Sequence, residues 1–356
     1  MNPTRNLLLL IAVVLLLNSC TEEITPPEKP NYKHPREMTW KADTLEIFEG
    51  QIQSLPFNLL AFSSNDAWLV CWSDIINGLL WRYDGKKWTN DSDFVKLGGF
   101  RIFDIAGTSS NNLWTGGYSG ENIFLAQYDG NKWTRFYPNL KGNILDMSTD
   151  PKGRIWACGY YGLVMKYENG KWLADTITVG RYSDSSFGLS SVEYYDNKCY
   201  ALGVTYDNAR HREIHYYFAG DINNWVAVDS FILDSKTHIE VKWGNQKLRI
   251  GKNGALYSYG AAGIWKYNNK QWEKIFNFYS YVREISAESK EYIIAACYMR
   301  KVYYYNGSIW EDISDLFKVE DPTFTFSNVW TDGKEIIIAG NGTVNRYDRT
   351  IIWHGK

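Results

Sequence analysis

The sequence predicts an all-β fold, a seven-bladed β-propeller of four-stranded antiparallel blades, on three observations. A short aromatic motif occurs seven times, and its successive tryptophans are 38 to 53 residues apart by subtraction of their numbers. Blades of a propeller take roughly 40 to 50 residues each. No segment beyond the N-terminal apolar run shows sustained helical periodicity. A two-sheet sandwich would require varied strand connections rather than seven copies of one meander.

The repeated motif is an aromatic pair that flanks a tight turn. In its first copy, Tyr83 and Trp88 enclose Asp84-Gly85-Lys86-Lys87. Asp-Gly, Asn-Gly and Asn-Asn accept the positive φ of a two-residue hairpin turn, and Tyr and Trp favour strands. The motif therefore predicts the outer strand pair of each blade. Its seven copies are Tyr83–Trp88, Tyr128–Trp133, Tyr167–Trp172, Tyr217–Trp225, Tyr267–Trp272, Tyr305–Trp310 and Tyr347–Trp353.

A second element precedes each motif and completes the blade. It ends on an aromatic or aliphatic residue, as at Trp68, Trp114 and Trp156, and in five repeats a glycine follows three residues later. Glycine at one position of a strand indicates close approach of another backbone. An apolar strand comes before it, which makes four strands per repeat. The segment from Thr39 to Phe48 either completes the last blade or caps its side, and Glu240 to Gln246 is an extra stretch near blade five.

The N-terminus predicts export and lipid attachment. Residues 1–19 contain Arg5 and an apolar run from Leu7 to Leu17, which is too short to cross a bilayer as a helix of about 20 residues, and so indicate a cleaved signal peptide. Leu17-Asn18-Ser19-Cys20 resembles the lipobox of bacterial lipoproteins, which implies diacylation of Cys20 and anchoring to a membrane through that lipid. Residues 20–38 are Pro-rich and predict a flexible tether. Residues 39–356 then form the propeller, with repeats over about 55–353.

The combination of tether and repeat resembles surface lipoproteins of Bacteroidetes that carry tandem W-x-x-G and Y-D-G-x-x-W propeller repeats. More distantly it is similar to the sensor propellers of two-component regulators. Glu22 and Glu23, directly after Cys20, look like the surface-export signal of such lipoproteins. The resemblance implies an outer-membrane location facing the cell surface, with the periplasmic face as the alternative. It implies a fold but not an activity, because propellers host many functions.

Composition excludes one class of partner and leaves two open. The formal net charge is −2, so no basic excess exists to neutralise phosphates, and a nucleic-acid partner is not expected. Aromatic residues make up 16% of the chain. Aromatic rings with polar tips suit both sugar faces and protein hot spots. A glycan or a protein is therefore the expected ligand.

The sequence contains no recognisable catalytic set, metal site or cofactor motif. His211 and His215 are the only clustered histidines, and in a strand they would lie about 13 Å apart, too far to share a zinc ion; an exposed strand edge is the simpler interpretation. The remaining cysteines have no CxxC spacing, and buried free thiols are favoured over a disulfide. They are Cys71, Cys158, Cys199 and Cys297, each expected on the second strand of a different blade.

Two carboxylates define the alternative function. Asp104 and Asp146 occupy equivalent positions on the predicted inner strands of blades two and three, and no equivalent is evident in the other blades. Two carboxylates across a channel could act as in a glycosidase. The alternative to a non-catalytic binding or scaffold module is therefore a polysaccharide-active enzyme that uses carboxylates at the propeller channel.

Topology predicts a ligand face. The turns that join the second and third strands share one side of a propeller with the loops that join blades, and this side is expected to bind ligands. Inter-blade packing is the competing role for its aromatic residues. The candidates are Trp72, Tyr118, Tyr160, Tyr161, Tyr206 and Tyr298.

Overall fold

The computed structural model describes residues 31–75, 78–179, 187–234, 241–261, 263–277 and 281–356. Their strands form seven four-stranded antiparallel sheets that follow one another along the chain, which confirms the seven-bladed propeller. The propeller unit extends from Lys33 to Lys356. Cys20 and the signal sequence lie outside the described residues, as does Glu240 of the extra stretch.

The strands are numbered in chain order, and each blade runs from its inner to its outer strand. Strand β1 (Trp40–Thr44) precedes blade 1. Blade 1 contains β2 (Ser54–Ser63), β3 (Asp66–Ser73), β4 (Leu79–Tyr83) and β5 (Trp88–Asn90); blade 2 contains β6 (Arg101–Ser109), β7 (Asn112–Ser119), β8 (Asn122–Tyr128) and β9 (Trp133–Phe136); blade 3 contains β10 (Ile144–Thr149), β11 (Ile155–Gly159), β12 (Leu163–Glu168) and β13 (Lys171–Thr176).

The remaining blades are built in the same way. Blade 4 contains β14 (Gly188–Tyr195), β15 (Lys198–Asp207), β16 (Arg212–Asp221) and β17 (Asn224–Asp234); blade 5 contains β18 (Lys247–Ile250), β19 (Leu256–Gly260), β20 (Gly263–Asn268) and β21 (Gln271–Phe276); blade 6 contains β22 (Val282–Ser289), β23 (Tyr292–Cys297), β24 (Lys301–Tyr305) and β25 (Trp310–Asp312); blade 7 contains β26 (Thr325–Thr331), β27 (Ile336–Val344) and β28 (Tyr347–Gly355).

Helices are short in the described part of the chain. One α-helix, α1 (Ser92–Val95), lies between blades 1 and 2, and 3-10 turns occur at Pro35–Glu37 and Ser314–Leu316. No described helix has the length and apolarity needed to cross a membrane. We call the side that carries the loops after the second and fourth strands the top face, and the opposite side the bottom face.

Side-chain chemistry explains the outer hairpins. In blade 1, Asp84 Oδ1 accepts the backbone N–H groups of Lys86 and Lys87, both at 2.9 Å, and Gly85 has φ +89°. Asp129 makes the same two bonds in blade 2. This Asx turn places the motif aromatics opposite each other, as in the register pair Tyr83 and Trp88. The predicted outer strand pair is confirmed in these blades.

The second-strand aromatic of one blade packs against the Tyr and Trp motif of the next blade. Trp68 on β3 of blade 1 packs against Tyr128 and Trp133 of blade 2, with ring centroids 5.6 and 6.1 Å apart. Trp114 of blade 2 packs in the same way against the Tyr167 and Trp172 pair of blade 3, at 4.6 and 5.0 Å. Trp68 and Trp114 are almost completely buried. The aromatic motif therefore joins neighbouring blades.

The seventh motif copy is corrected by the structure. Tyr347 begins the third strand of blade 7 and pairs with Val344, and Trp353 lies further along that same strand. The outermost strand is β1, whose Ala42 pairs with Trp353. Thr39 to Phe48 thus contains the strand that completes the last blade. The chain contacts the propeller even earlier, because the Lys33 N–H donates to the Gly333 carbonyl at 2.8 Å.

The second strands carry the predicted thiols and glycines. The four cysteines on β3, β11, β15 and β23 are free and buried. Burial raises the pKa of the Cys71 thiol to about 12, so it stays protonated at neutral pH. A Cβ on Gly117 or Gly159 would lie 1.8 or 1.6 Å from a carbonyl oxygen of the adjacent inner strand. Only glycine fits there.

The expectation of an exposed edge for His211 and His215 is wrong for the second histidine. His215 is 4% exposed and its ring stacks on Phe231 at 4.8 Å. Its Nε2 lies 2.9 Å from Glu213 Oε2. The outer strands of blade 4 are long, so His215 on the third strand is covered by Phe231 on the fourth strand of the same sheet. Next to it, the loop before blade 5 inserts Trp243, which is 1% exposed.

Closure of the ring by β1 predicts unequal effects of proline at two adjacent positions. Thr39 and Lys356 exchange both of their backbone hydrogen bonds. Such bonds recur at every second residue of an antiparallel pair, so the Lys41 N–H also donates to β28, whereas the Ala42 N–H points away from β28. Lys41→Pro should lower the free energy of unfolding by about 1 to 3 kcal/mol. Ala42→Pro, at a solvent-facing N–H of an edge strand, should cost much less. Chemical denaturation measures both, and equal losses would contradict closure by this strand.

Candidate functional site

The six predicted ligand-face residues all lie at the top face. Tyr118 is near the end of β7, and Tyr160 and Tyr161 form the turn after β11. These three tyrosines line one cavity between blades 2 and 3. Tyr160 and Tyr161 are 49% and 47% exposed. The structure therefore brings half of the predicted residues together.

The other three predicted residues lie apart from this cavity. Trp72 is half-buried, and the Arg101 guanidinium lies 5.5 Å from the centroid of its ring. Tyr298 packs edge to face on Tyr281, with ring centroids 5.1 Å apart. Tyr206 is 40% exposed near the end of β15, where the outer strands of blade 4 extend beyond its inner strand. Each is a separate aromatic position on the same face.

The cavity between blades 2 and 3, which we call the tyrosine cavity, has a volume of about 580 Å³. Two lining residues were not singled out from sequence, Phe103 and Asn143. Phe103 stacks on Tyr118 at 5.9 Å on one side and on Phe57 at 5.3 Å on the other. Phe103 is the extra residue of a β-bulge, and the bulge turns its side chain to the top face.

Exposed apolar side chains are concentrated on the top face. Fourteen large hydrophobic residues of the described chain are exposed, and ten of them are in top-face loops or strand ends. Isolated exposed apolar residues are ordinary, whereas a concentration of them on one face is a feature that interaction surfaces share. The ten residues are Ile52, Ile75, Tyr137, Tyr160, Tyr161, Tyr206, Tyr298, Met299, Val344 and Tyr347.

Two further grooves lie at the outer rim and are related by the repeat. The larger, about 780 Å³, is between the outer strand of blade 3 and the outer strands of blade 4, and includes Ile177 and Trp225. The second, about 520 Å³, is between β1 and the outer strands of blade 1, and includes Leu45 and Trp88. Both follow from the way neighbouring blades diverge. They lack the tyrosine cluster of the top face.

Asp104 and Asp146 belong to a polar layer around the channel. In six blades, the pairing of the first two described strands shifts by one residue, and a buried polar residue follows the shift. The interpretation that no other blade has an equivalent residue is therefore wrong, because glutamate, serine and asparagine at the same place had hidden the repeat. The six residues are Asn58, Asp104, Asp146, Ser191, Glu284 and Asn328.

This polar layer connects inner strands to one another. Asp104 Oδ2 accepts the backbone N–H of Met147 in blade 3 at 3.1 Å. Asp146 Oδ2 accepts the N–H of Val192 in blade 4 at 2.9 Å. Ser191 Oγ accepts the N–H of Leu248 in blade 5 at 3.0 Å. These are hydrogen bonds from blade to blade, inside the ring of aromatic contacts.

Blade 5 supplies the positive charges of the channel. Lys247 Nζ lies 2.9 Å from Asp146 Oδ1 and 3.6 Å from Asp104 Oδ2. Arg249 binds Glu284 through two nitrogens, at 2.9 and 3.2 Å. A fourth acidic side chain, Glu193, lies 3.8 Å from this guanidinium. The short charge pairs are Lys247 with Asp146 and Arg249 with Glu284, because an interior of low polarity requires buried charges to be paired.

These contacts favour a structural role for the two aspartates. The Asp104 side chain is completely buried, and its oxygens accept two backbone N–H groups. Burial raises its pKa to about 8, whereas Lys247 and the buried hydrogen bonds hold the pKa of Asp146 below its usual value despite burial. Opposite pKa shifts suit an acid and a base, but both carboxyl groups are buried, lie within 3.6 Å of Lys247 Nζ and accept backbone N–H groups of the next blade. Within the described residues, no group of three His, Cys, Asp or Glu could hold a metal.

Comparison with known proteins identifies the fold and no family. No family model and no curated protein matches the chain. The solved structure of YCF48 bound to D1 peptide is similar with a TM-score of 0.58, at 14% identity over 90% of this chain and 95% of that one. The extracellular domain of a hybrid two-component system of B. thetaiotaomicron has a TM-score of 0.57, at 13% identity over 88% of this chain and 40% of that chain.

A third similar structure is an enzyme. It is the GH74 xyloglucanase of Xanthomonas campestris, with a TM-score of 0.55, at 11% identity over 87% of this chain and 55% of that one. At such identities the likeness shows the propeller fold alone.

The buried acid Glu193 predicts a loss of stability as pH rises through neutrality. Burial raises the pKa of Glu193 to about 8, from an ordinary value of 4.5. Because the folded-state pKa exceeds the unfolded one, the stabilising effect is full below pH 4.5 and is lost as pH rises through 8. The free energy of unfolding should fall between about pH 5 and pH 8, by on the order of 1 kcal/mol per pH unit for this group. Calorimetry should show a smaller fall for Glu193→Gln; an identical fall would contradict the assignment.

Proposed function

We propose that this chain is a non-catalytic binding module that takes a glycan or protein ligand on its top face. The observation that carries the proposal is the concentration of exposed apolar side chains there, ten of the fourteen in the described chain. Ligand sites combine aromatic walls with a few placed polar groups, and the tyrosine cavity has that composition. The peptide in the YCF48 structure is an example of a ligand on this fold.

Backbone conformations on the top face support the same proposal. Tyr161, Met299, Arg300 and Arg346 all have positive φ, between 58° and 72°, in turns that join second and third strands. Glycine or asparagine would adopt this conformation at lower cost. Bottom-face turns use mostly Asn and Asp at positive φ, with Lys270 the large exception. Large side chains kept in unfavourable conformations are a signature of functional loops.

The bottom face is where the described chain enters the propeller. Lys33 bonds Gly333 in the hairpin of blade 7, and its carbonyl accepts the Tyr292 hydroxyl at 2.9 Å. Arg36 then pairs with Glu311 and Asp315 of blade 6. The chain from Lys33 onward thus meets the propeller on the side opposite the exposed apolar residues of the top face.

The proposal includes lipid anchoring at Cys20 and display on the outer surface of the outer membrane. Its support is the sequence around Cys20, with an apolar run before it and Glu22 and Glu23 after it. A diacylated cysteine provides the two chains that stable anchoring requires. The alternative of a polysaccharide-active enzyme rests on Asp104 and Asp146, which the structure buries under Lys247.

Replacement of the lipidated cysteine should release the protein. Cys20→Ser removes the thiol that would be acylated, so the protein should lose incorporation of a labelled fatty acid and its membrane association. Thr21→Ala, next to it, should keep both. Fatty-acid labelling and fractionation of the bacterial cells measure the result. A Cys20→Ser protein that is still labelled would show that the lipid is elsewhere.

The ligand face is tested with the chain from Glu22 onward on glycan and peptide arrays. A ligand should bind, and Tyr160→Ala with Tyr298→Ala should weaken it at least tenfold, because exposed aromatics dominate such interfaces. The control pair Val226→Ala with Val228→Ala removes exposed side chains from the outer edge of blade 4 and should leave binding unchanged. Equal losses in both pairs would place the ligand elsewhere. Release of reducing sugar that is abolished by Asp104→Asn would support the enzyme instead.

A further inference from the structure

We propose that the tyrosine cavity binds a short segment of a neutral glycan, by stacking sugar rings on Tyr118, Tyr160 and Tyr161 while Asn143 accepts a sugar hydroxyl. This inference rests on the proposed function and narrows its ligand. Four properties of the cavity carry it: the support of the aromatic rings, an unpaired amide oxygen, backbone N–H groups that are already paired, and the balance of charge.

The aromatic walls are held from behind. A Cβ on Gly142 would lie 3.3 Å from the Tyr161 ring, and a Cβ on Gly188 would lie 3.1 Å from the Tyr160 ring, so each ring rests over a glycine. Phe103 stacks behind Tyr118. Rings fixed in this way lose little conformational freedom when a flat ligand face packs on them. A pyranose presents such a face of C–H groups.

Asn143 is a lining residue of the cavity and carries an unpaired polar atom. The residue is 6% exposed, and its Oδ1, which is covered in the free protein, has no hydrogen-bond partner among the described residues. A buried polar atom without a partner is rare in folded proteins and indicates a missing bond. Within the same described part, the hydroxyls of Tyr118, Tyr160 and Tyr161 form no hydrogen bond with the protein. An apolar wall lined with unpaired polar groups fits a ligand that has C–H faces and many hydroxyls.

The backbone around the cavity is already used. The N–H of Gly142 donates to the Glu121 carbonyl at 3.0 Å, that of Tyr160 to the Asn143 carbonyl at 3.2 Å, and that of Tyr161 to the Phe187 carbonyl at 2.9 Å. An extended peptide binds most readily where a strand edge offers free N–H and C=O groups. With these three N–H groups already paired, side chains are the main groups left for recognition at this cavity, which favours a sugar over a peptide strand.

The charges at the cavity cancel. Its charged lining residues are Glu121 and Lys141, which form an exposed ion pair with a 3.1 Å separation. An acidic sugar would meet one carboxylate for each ammonium and gain no net attraction. The volume of about 580 Å³ is within the usual range for small ligands, roughly 300 to 1,000 Å³. A neutral oligosaccharide segment is therefore the ligand that fits.

The test is titration calorimetry of the chain from Glu22 onward with neutral hexasaccharides of glucose, xylose and mannose, and with polygalacturonate as the acidic probe. At least one neutral probe should bind, more tightly than the acidic one. Tyr160→Ala and Tyr161→Ala should each raise Kd at least tenfold, whereas Val226→Ala, at an exposed position on the outer strand of blade 4 away from the top face, should leave Kd unchanged.

Asn143→Leu separates binding from stability. It should raise Kd about tenfold while the melting temperature stays equal or rises, because the lost amide oxygen has no partner in the free protein. A fall in melting temperature with unchanged Kd would assign Asn143 a structural role and overturn its part of the proposal.

The remaining outcomes distinguish this inference from the proposed function. If every neutral hexasaccharide fails to bind, the inference is wrong. The binding module then stands only if a peptide or protein from the arrays binds and is lost in the Tyr160 and Tyr298 double variant. If the double variant also binds that peptide or protein normally, both the neutral-glycan inference and the proposed binding face are wrong.

Discussion

The architecture depends on one contact, the packing of a second-strand aromatic against the Tyr and Trp pair of the next blade. Trp68 with Tyr128 and Trp133, and Trp114 with Tyr167 and Trp172, are two examples. A four-stranded blade cannot bury both of its faces alone, so each one is stable only between neighbours. Every blade therefore needs a ring that closes. The strand β1, delivered from the N-terminus to the last blade, completes that ring.

A second set of contacts, nearer the channel, is polar. Buried residues that follow the inner-strand bulges bond the backbone of the next blade, and Lys247 and Arg249 neutralise the carboxylates among them. Aromatic packing is tolerant of small shifts, whereas hydrogen bonds and ion pairs fix position. The outer contact thus supplies most of the burial and the inner one sets the register between blades. This explains why potential catalytic carboxylates have structural partners.

The fold was predictable from sequence because its signal is local and repeated. The Asp-Gly turn at Asp84 and the aromatics around it act within six residues, and the same chemistry returns at Asp129. Contacts between residues that are distant in the sequence could not be predicted. Lys247 and Asp146 are 101 residues apart in the sequence. The polar layer contains four residue types, Asp, Glu, Asn and Ser, so the sequence does not show that its positions repeat. Trp353 was misplaced because the motif does not show that the closing strand comes from the other end of the chain.

The candidate site was likewise predictable from the sequence only in part. Topology alone placed Tyr118, Tyr160 and Tyr161 on one face, because every second strand of a propeller ends on that side. Phe103 and Asn143 gave no such signal: one is aimed by a bulge, and the other is recognisable only by the bond that it lacks. A rigid ring of blades permits this arrangement. Since the strands hold the loops, turns such as Tyr160-Tyr161 can keep exposed rings and unfavourable φ angles without loss of the fold, and binding chemistry can accumulate there.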